Sequence, residues 1–203
     1  MFFLIIDSHY HYVLQVVFDR RFEKDNGSIC KISVDGTDFK INEPSPFSGM
    51  WYSHKYDHAA VRYEIGLCIQ KGYIVSTHGP FPAGLMPDVS IFCNKLKYEL
   101  AHKERVECDR GYRGEFSKID LPDECCGYGT HQYKLKQIVR ARHETVNRRL
   151  KQFGCLKQQF RHPIHKYSSV FCAVVAIVQI SLENGHPLFD LAHEYKTIDD
   201  KFL

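Results

Sequence analysis

The sequence lacks several features that would place it in a simple class of protein. Its 203 residues contain no low-complexity segment, no internal repeat and no large excess of charge, since 27 lysines and arginines face 24 aspartates and glutamates. Apolar residues make up 44% of the chain, which is ordinary globular usage and excludes a disordered or collagen-like chain. From the length we expect one domain, or one domain with an appended piece.

Long apolar runs are also missing. Met1–Ile6 is apolar, but it is short, has no basic flank and is followed by Asp7. We therefore expect neither a signal peptide nor a membrane span at this position. The run Val170–Leu182 is interrupted by the polar residues Gln179 and Ser181, and its composition favours a buried helix over a membrane helix.

Cysteine is too sparse to form a disulfide framework. The eight cysteines are irregularly spaced, and they lack the paired Cys and His spacing that is typical of a structural zinc site. Several of them lie in apolar runs, where a free cysteine acts as a small hydrophobe. We therefore expect a reducing compartment, and no cysteine belongs to a motif that would activate it as a nucleophile.

Positive charge, by contrast, is concentrated in one part of the chain. Between His131 and Lys166 there are ten lysines or arginines and one acidic residue, Glu144. Because the whole chain sums to +3, the remainder is net negative. A basic segment of this kind is typical of a surface that faces nucleic acid.

Residue periodicity predicts both strands and helices. Alternating apolar residues predict strands over 30–34 and 61–69, a hairpin into 73–77 and a short strand over 105–108. Gly36–Asp38 is expected to turn into a further strand at 39–41, and the proline-rich segment Gly79–Pro87 is expected to be irregular. Helices are predicted from Asp88, as the N-cap, to Leu100, from about 133 to 154 and from about 168 to 184. This order indicates an α/β protein with a mixed β-sheet flanked by helices.

Three carboxylates stand where the edge of a sheet would bring them together. Asp35 and Asp109 are each expected to end a strand, and Glu144 lies in the basic helix, off its apolar stripe. Carboxylates at strand ends meet at one edge, and a helix laid across that edge adds a third. Mg²⁺ prefers such oxygen ligands, and two ions about 3.5–4 Å apart can activate water and stabilise a leaving oxygen.

The same residues have plainer interpretations. Asp35 and Asp109 stand near glycines, as ordinary turn formers do. Glu144 could pair with an arginine one helical turn away, for only about 0.3–0.5 kcal/mol. Three cations of the same helix could contact phosphates or form a solvated face: Arg140, Arg148 and Lys151. Composition alone leaves both interpretations open.

Several segments together resemble the catalytic domain of DDE-superfamily transposases, specifically the Harbinger-like group. The matching stretches are Val34–Phe39, Gly79–Gly84 running to Pro87–Phe92, Glu107–Tyr112, Arg142–Lys151, Phe160–His162 and the helix Phe171–Asn184. The resemblance covers roughly residues 28 to 190. The combination is specific, although any one piece would be weak.

The resemblance implies an RNase H-like fold with a catalytic, metal-binding triad of Asp35, Asp109 and Glu144. The 34 residues between Asp109 and Glu144 are a spacing familiar among DDE enzymes. It further implies cleavage of DNA phosphodiester bonds with two Mg²⁺ or Mn²⁺ ions, a nuclear location, and phosphate contacts from the basic helix, with Arg140, Arg148 and Lys151 as candidates. Asp88 is expected to be a helix cap or a supporting group outside the triad.

The resemblance also divides the chain. We expect an N-terminal linker or remnant at residues 1–27, an RNase H-like catalytic domain at 28–185 and a tail at 186–203. Such transposases carry an N-terminal helix-turn-helix region that is expected to be missing here, so DNA recognition would need that domain or a separate partner. The alternative is a catalytically inactive or domesticated relic that acts as a DNA- or protein-binding module.

Overall fold

A computed structural model describes residues 16–121 and 130–191 as a mixed β-sheet with helices on both faces. The strands in chain order are β1 (Cys30–Lys40), β2 (Tyr52–Ser53), β3 (His58–Cys68), β4 (Ile74–Pro82), β5 (Arg105–Glu107) and β6 (Ile119–Asp120). The helices are α1 (Asp88–Asn94), α2 (Leu96–Glu99), α3 (His131–Leu150), α4 (Gly154–Lys157) and α5 (Tyr167–Glu183). Short 3-10 turns lie at Phe18–Phe22, Gly49–Trp51, Arg110–Tyr112 and Ile164–Lys166.

The central strand of the sheet is β1. It pairs antiparallel with β3 from Ile32 to Lys40, but it pairs parallel with β5 only from Cys30 to Ser33. On the far side of β3 lies β4, with β2 beside the start of β3, and β6 continues the sheet parallel to β5. Beyond Ser33, β1 therefore runs on after its neighbour β5 has ended, which leaves a notch in the sheet.

Alternate residues of the strands build two cores. On one face Phe39 and Tyr63 pack with α3 and α5, and the Tyr63 ring stacks on Phe171 with centroids 3.6 Å apart. On the other face Ile32 and Val34 pack with α1 and α2. Because strand side chains alternate between faces, the period of two in the sequence corresponds to these two cores, and the predicted α/β architecture is confirmed.

The apolar helix α5 packs against this sheet. By length and composition, the segment Ile164–Glu183 could cross a membrane, and 39% of its most apolar 18-residue stretch is buried. Its Phe171 is fully buried, and the Gln179 side-chain oxygen accepts the backbone N–H of Ile74 at 2.8 Å. These contacts are those of a core helix, which passes the same compositional test.

Two strand predictions were wrong in extent. Gly36–Asp38 does not turn: β1 is continuous, because its residues pair with β3 and Asp38 faces Arg62 across the two strands. The segment expected to be irregular from Gly79 begins as strand, since β4 runs to Pro82. Proline is tolerated there because β4 is an edge strand whose register shifts opposite Arg62 and Glu64.

The helices agree more closely with prediction. The helix from Asp88 to Leu100 is present but is broken at Lys95 into α1 and α2. The basic helix α3 ends at Leu150 rather than at Gly154, which instead begins α4. The short turn Phe18–Phe22 packs against the sheet, where buried Arg21 Nε donates to Glu104 Oε1 at 2.9 Å.

Residues 1–15 and 192–203, which include most of the predicted linker and tail, lie outside the described part of the chain. Residues 122–129 also lie outside it. The division at residues 27 and 185 stays a prediction.

Replacing Phe171 with alanine tests the larger core. Because Phe171 is fully buried and stacks on Tyr63, we expect the free energy of unfolding to fall by about 3–5 kcal/mol. Ile177→Ala is the matched control on the same helix, since Ile177 is 51% exposed, and it should change stability by less than about 0.5 kcal/mol. Equal losses in urea titrations of the two variants would contradict this packing.

Candidate active site

An open cavity of about 400 Å³ occupies the notch where β1 and β5 part. Its lining includes all three acids predicted from the sequence, Asp35, Asp109 and Glu144. It also includes two of the three predicted phosphate-binding cations, Arg140 and Lys151. Arg148 is exposed on α3 and does not line the cavity. The fold thus gathers most of the predicted site residues, whose catalytic roles stay predictions.

The two aspartates reach the notch from neighbouring strands. Asp109 follows β5 by two residues, and its Oδ1 accepts the backbone N–H of Gly111 at 2.8 Å, which caps the turn Arg110–Tyr112. Asp35 lies inside β1 rather than at its end as expected, two residues beyond the last pairing with β5 at Ser33. Both therefore stand at the carboxyl end of the parallel β1–β5 pair.

Helix α3 is aligned with β1 by three polar contacts. His143 Nε2 lies 2.7 Å from Ser33 Oγ, and Asn147 Nδ2 donates to Asp35 Oδ2 at 3.0 Å. One turn further along the chain, Lys151 Nζ donates to the Thr37 hydroxyl at 3.1 Å. Four helical residues advance about 6 Å and two strand residues about 6.6 Å, so the two elements stay in step. Burial lowers the pKa of His143 to about 4, so its imidazole is neutral in this contact.

Glu144 follows His143 on this helix and is exposed at the cavity. In the described ranges 16–121 and 130–191, no group of three or more His, Cys, Asp or Glu side chains stands close enough to hold a metal ion. Glu144 thus shares the cavity with Asp35 and Asp109 without forming a preassembled ligand cluster with them.

The surroundings of Asp35 disfavour its ionised form. Burial, followed by the negative charges of Asp109 and Asp88, raises its pKa to about 6. Lys55 and the hydrogen bond from Asn147 oppose this rise. Ionised Asp35 is consequently disfavoured by its surroundings and would be favoured by an added cation.

Asp88 is a fourth acid of the site: of its two predicted roles, the helix cap was wrong, and the supporting group outside the triad stays a prediction. The N-cap of α1 is Pro87, with no side-chain cap, and Asp88 instead faces the cavity. A methyl group on Gly36 would collide with Asp88 Oδ1, and one on Gly111 would lie 2.9 Å from Asp88 Oδ2 and 3.0 Å from Asp109 Oδ1. A side chain at either position would therefore displace these carboxylates.

Arg62 holds the acids on this side of the sheet. Its Nε and Nη2 donate to the two carboxylate oxygens of buried Asp38 at 2.6 and 3.0 Å. Its Nη1 lies 3.4 Å from Asp88 Oδ1, a buried atom that accepts no hydrogen bond. Periodicity could not reveal Arg62, because its pairing depends on the register of β1 with β3.

A smaller cavity of about 30 Å³ lies beside the first and is lined by Asp35, Asp109 and Glu107 among others. It has room for about one water molecule. Glu107 Oε2 is buried and has no hydrogen-bond partner, and burial raises the Glu107 pKa to about 7. No sequence pattern distinguishes Glu107 from an ordinary strand residue, so it was not among the predicted site residues.

Replacing Asp35 with asparagine tests the electrostatics of the site. Because the folded-state pKa of Asp35 is raised from 3.8 to about 6, wild type should lose stability as the pH rises between these values, where the unfolded chain ionises first. In EDTA we expect Asp35→Asn to be more stable than wild type by about 3 kcal/mol at pH 7.5, and by less than about 1 kcal/mol near pH 4.

Chemical denaturation at several pH values measures this difference. Glu43→Gln is the control, because the Glu43 side chain is exposed and lies outside the cavity, and its stability should follow that of wild type throughout. A gap between Asp35→Asn and wild type that grows toward low pH would contradict the raised pKa.

Comparison with known proteins identifies the family. A family model described as DDE superfamily endonuclease matches residues 34–179, from the residue before Asp35 into α5. No curated protein and no solved structure matches the chain. The matched span covers most of the chain and includes all four acids, and the mixed sheet flanked by helices agrees with the RNase H-like fold of this superfamily. The chain belongs to the DDE superfamily of endonucleases.

Proposed function

We propose that this chain is the catalytic domain of a Harbinger-like DDE transposase and that Asp35, Asp109 and Glu144 are its triad. Membership of the family makes it a nuclease-type domain with DNA as substrate. The observation that carries the finer proposal is the shared cavity, which these three acids line at the notch of the sheet.

The donor set suits Mg²⁺ or Mn²⁺. All the acids offer hard oxygen atoms, Asp88 Oδ1 is buried without a hydrogen bond, and Gly36 and Gly111 leave the room that side chains would fill. Asp35 and Asp109 would hold two ions from the sheet, and Glu144 would close the site from α3. When bound, the ions would activate water and stabilise the leaving 3′ oxygen.

Cations around the acids would bind the DNA backbone. Lys151 donates to the hydroxyls of Thr37 and Tyr56, at 3.1 and 2.8 Å, so its positive charge is not neutralised by these partners. Arg140 is 55% exposed, with Nη2 only 3.9 Å from Asp109 Oδ2. Both are placed to contact a phosphate next to the acids. Exposed Arg148 would contact the backbone further from the cavity.

Two further parts of the proposal rest on the resemblance alone. Sequence-specific binding would come from an N-terminal helix-turn-helix domain or from a separate DNA-binding partner. The protein would act in the nucleus.

A second candidate function is a catalytically idle relic that binds DNA or protein. The exposure of Glu144 and the lack of a preassembled ligand group among the described side chains favour it. The crowding of Asp35, Asp88 and Asp109 favours the enzyme, because the mutual repulsion of these carboxylates destabilises a fold that has no use for them.

Plasmid nicking by the purified chain distinguishes the two. We expect nicking with Mn²⁺ or Mg²⁺ that EDTA abolishes, and a loss of at least about 100-fold in Asp109→Asn and in Glu144→Gln. Asp19→Asn removes an exposed acid outside the cavity and should nick like wild type.

Two other results of the nicking assay would contradict the proposal or restrict it. A folded chain that binds DNA and nicks nothing would be a relic, or an enzyme that needs an N-terminal helix-turn-helix domain or a separate DNA-binding partner. Nicking that survives in Asp109→Asn would place the chemistry elsewhere and remove the triad.

A further inference from the structure

We propose that a groove beside Trp51 binds an unpaired DNA strand that continues from the candidate active site. The groove has a volume of about 410 Å³ and lies where β1 ends, with Ile41, Trp51, Arg161 and His162 in its lining. This inference rests on the proposed function, because it extends the path of the same DNA substrate.

The strand β1 connects the two sites. Asp35 lines the cavity, and Ile41, just past the end of β1, lines the groove. Six residues of extended chain span about 20 Å, and several nucleotides of an extended, unpaired strand bridge this distance. A strand that passes the acids therefore reaches the groove within several nucleotides.

Cations and the ring of Tyr56 lie near the two ends of this path, since Lys55 and Lys151 line the cavity and Lys40 is the last residue of β1. Lys151 Nζ is 2.8 Å from the Tyr56 hydroxyl and 5.5 Å from the centre of the Tyr56 ring, and Lys40 Nζ lies 5.2 Å from the same centre. Exposed Lys55 lines the cavity beside them. Within the described ranges, no carboxylate lies within ion-pair distance of these three ammonium groups. They are available to phosphates.

The groove adds flat rings and a further cation. Trp51 is half-buried and packs partly against the core, which fixes its ring. The His162 ring lies 5.4 Å from that of Phe160. Asn42 Nδ2 donates to the backbone oxygen of Arg161 at 3.3 Å, which ties this segment to the end of β1. The Arg161 guanidinium is exposed, and no described carboxylate pairs with it.

These features suit an unpaired strand. Single-strand sites combine cations along the backbone with aromatic rings on which bases stack, and the bases of a duplex are not free to stack in this way. An acid, Glu43, also lines the groove, so phosphates are expected on the Arg161 side and a base beside Trp51.

The single tryptophan of the chain makes this testable. In EDTA, where metal-dependent cleavage is blocked, we would titrate the full chain with a single-stranded oligonucleotide of about 20 nucleotides, long enough to cover the path of about 20 Å. Tryptophan emission reports on the groove, and the anisotropy of a labelled oligonucleotide reports on total binding. We expect saturable quenching of Trp51 that follows the anisotropy, and little quenching by a blunt duplex.

Arg161→Gln should weaken single-strand binding about 3- to 10-fold at low salt and reduce the slope of log K against log salt by about 0.7. Lys95→Gln removes one charge from a residue that is 61% exposed and lines neither cavity. This control should change the affinity less than about twofold.

Three results would overturn the assignment. The oligonucleotide could bind by anisotropy while Trp51 emission stays unchanged and Arg161→Gln binds like wild type. This result would exclude the groove as the binding site and leave the endonuclease proposal intact. If the blunt duplex quenches Trp51 emission as strongly as the single strand does, the groove does not select an unpaired strand. A folded chain that binds no DNA of either form contradicts both proposals.

Discussion

Mutual repulsion among carboxylates is the constraint around which this site is arranged. Burial and nearby negative charges raise the pKa of Asp35 and of Asp88 in this notch: the charge of Asp109 acts on both, and that of Asp88 acts on Asp35. They are held together because β1 and β5 run in parallel and then separate, and because Gly36 and Gly111 have no side chains that would keep the acids apart. A fold that maintains such an arrangement is suited to bring a cation to that place.

The alignment of α3 with β1 places side chains of the helix in the cavity beside the acids of the sheet. Contacts at Ser33, Asp35 and Thr37 repeat at every turn of the helix, so Glu144 and Lys151 are placed relative to the sheet by one register. The buried, neutral imidazole of His143 anchors this register without adding charge near the acids. On the other face of the sheet, the positive charge of Arg62 lies beside the carboxylates of Asp38 and Asp88. The site is therefore framed by contacts from both layers of helices and the sheet between them.

The parts of this arrangement that depend on neighbours in sequence could be predicted. Alternation of apolar residues predicted β3, the apolar stripe predicted the buried face of α3, and Asp109 was correctly expected just after β5. Register between distant segments could not be predicted in this way. It keeps β1 extended through Gly36, it pairs Asp38 with Arg62, and it brings Asp88 into the cavity, so these three features were wrong or missed.

The central claim is that Asp35, Asp109 and Glu144 share a divalent metal site. A crystal structure of the chain grown with Mn²⁺, with anomalous differences measured at the manganese edge, tests it most directly. The account predicts manganese bound to the carboxylates of Asp35 and Asp109 at about 2.0–2.2 Å, with Glu144 drawn in from α3. Manganese found only away from these acids, or an unoccupied cavity at saturating Mn²⁺, would contradict it.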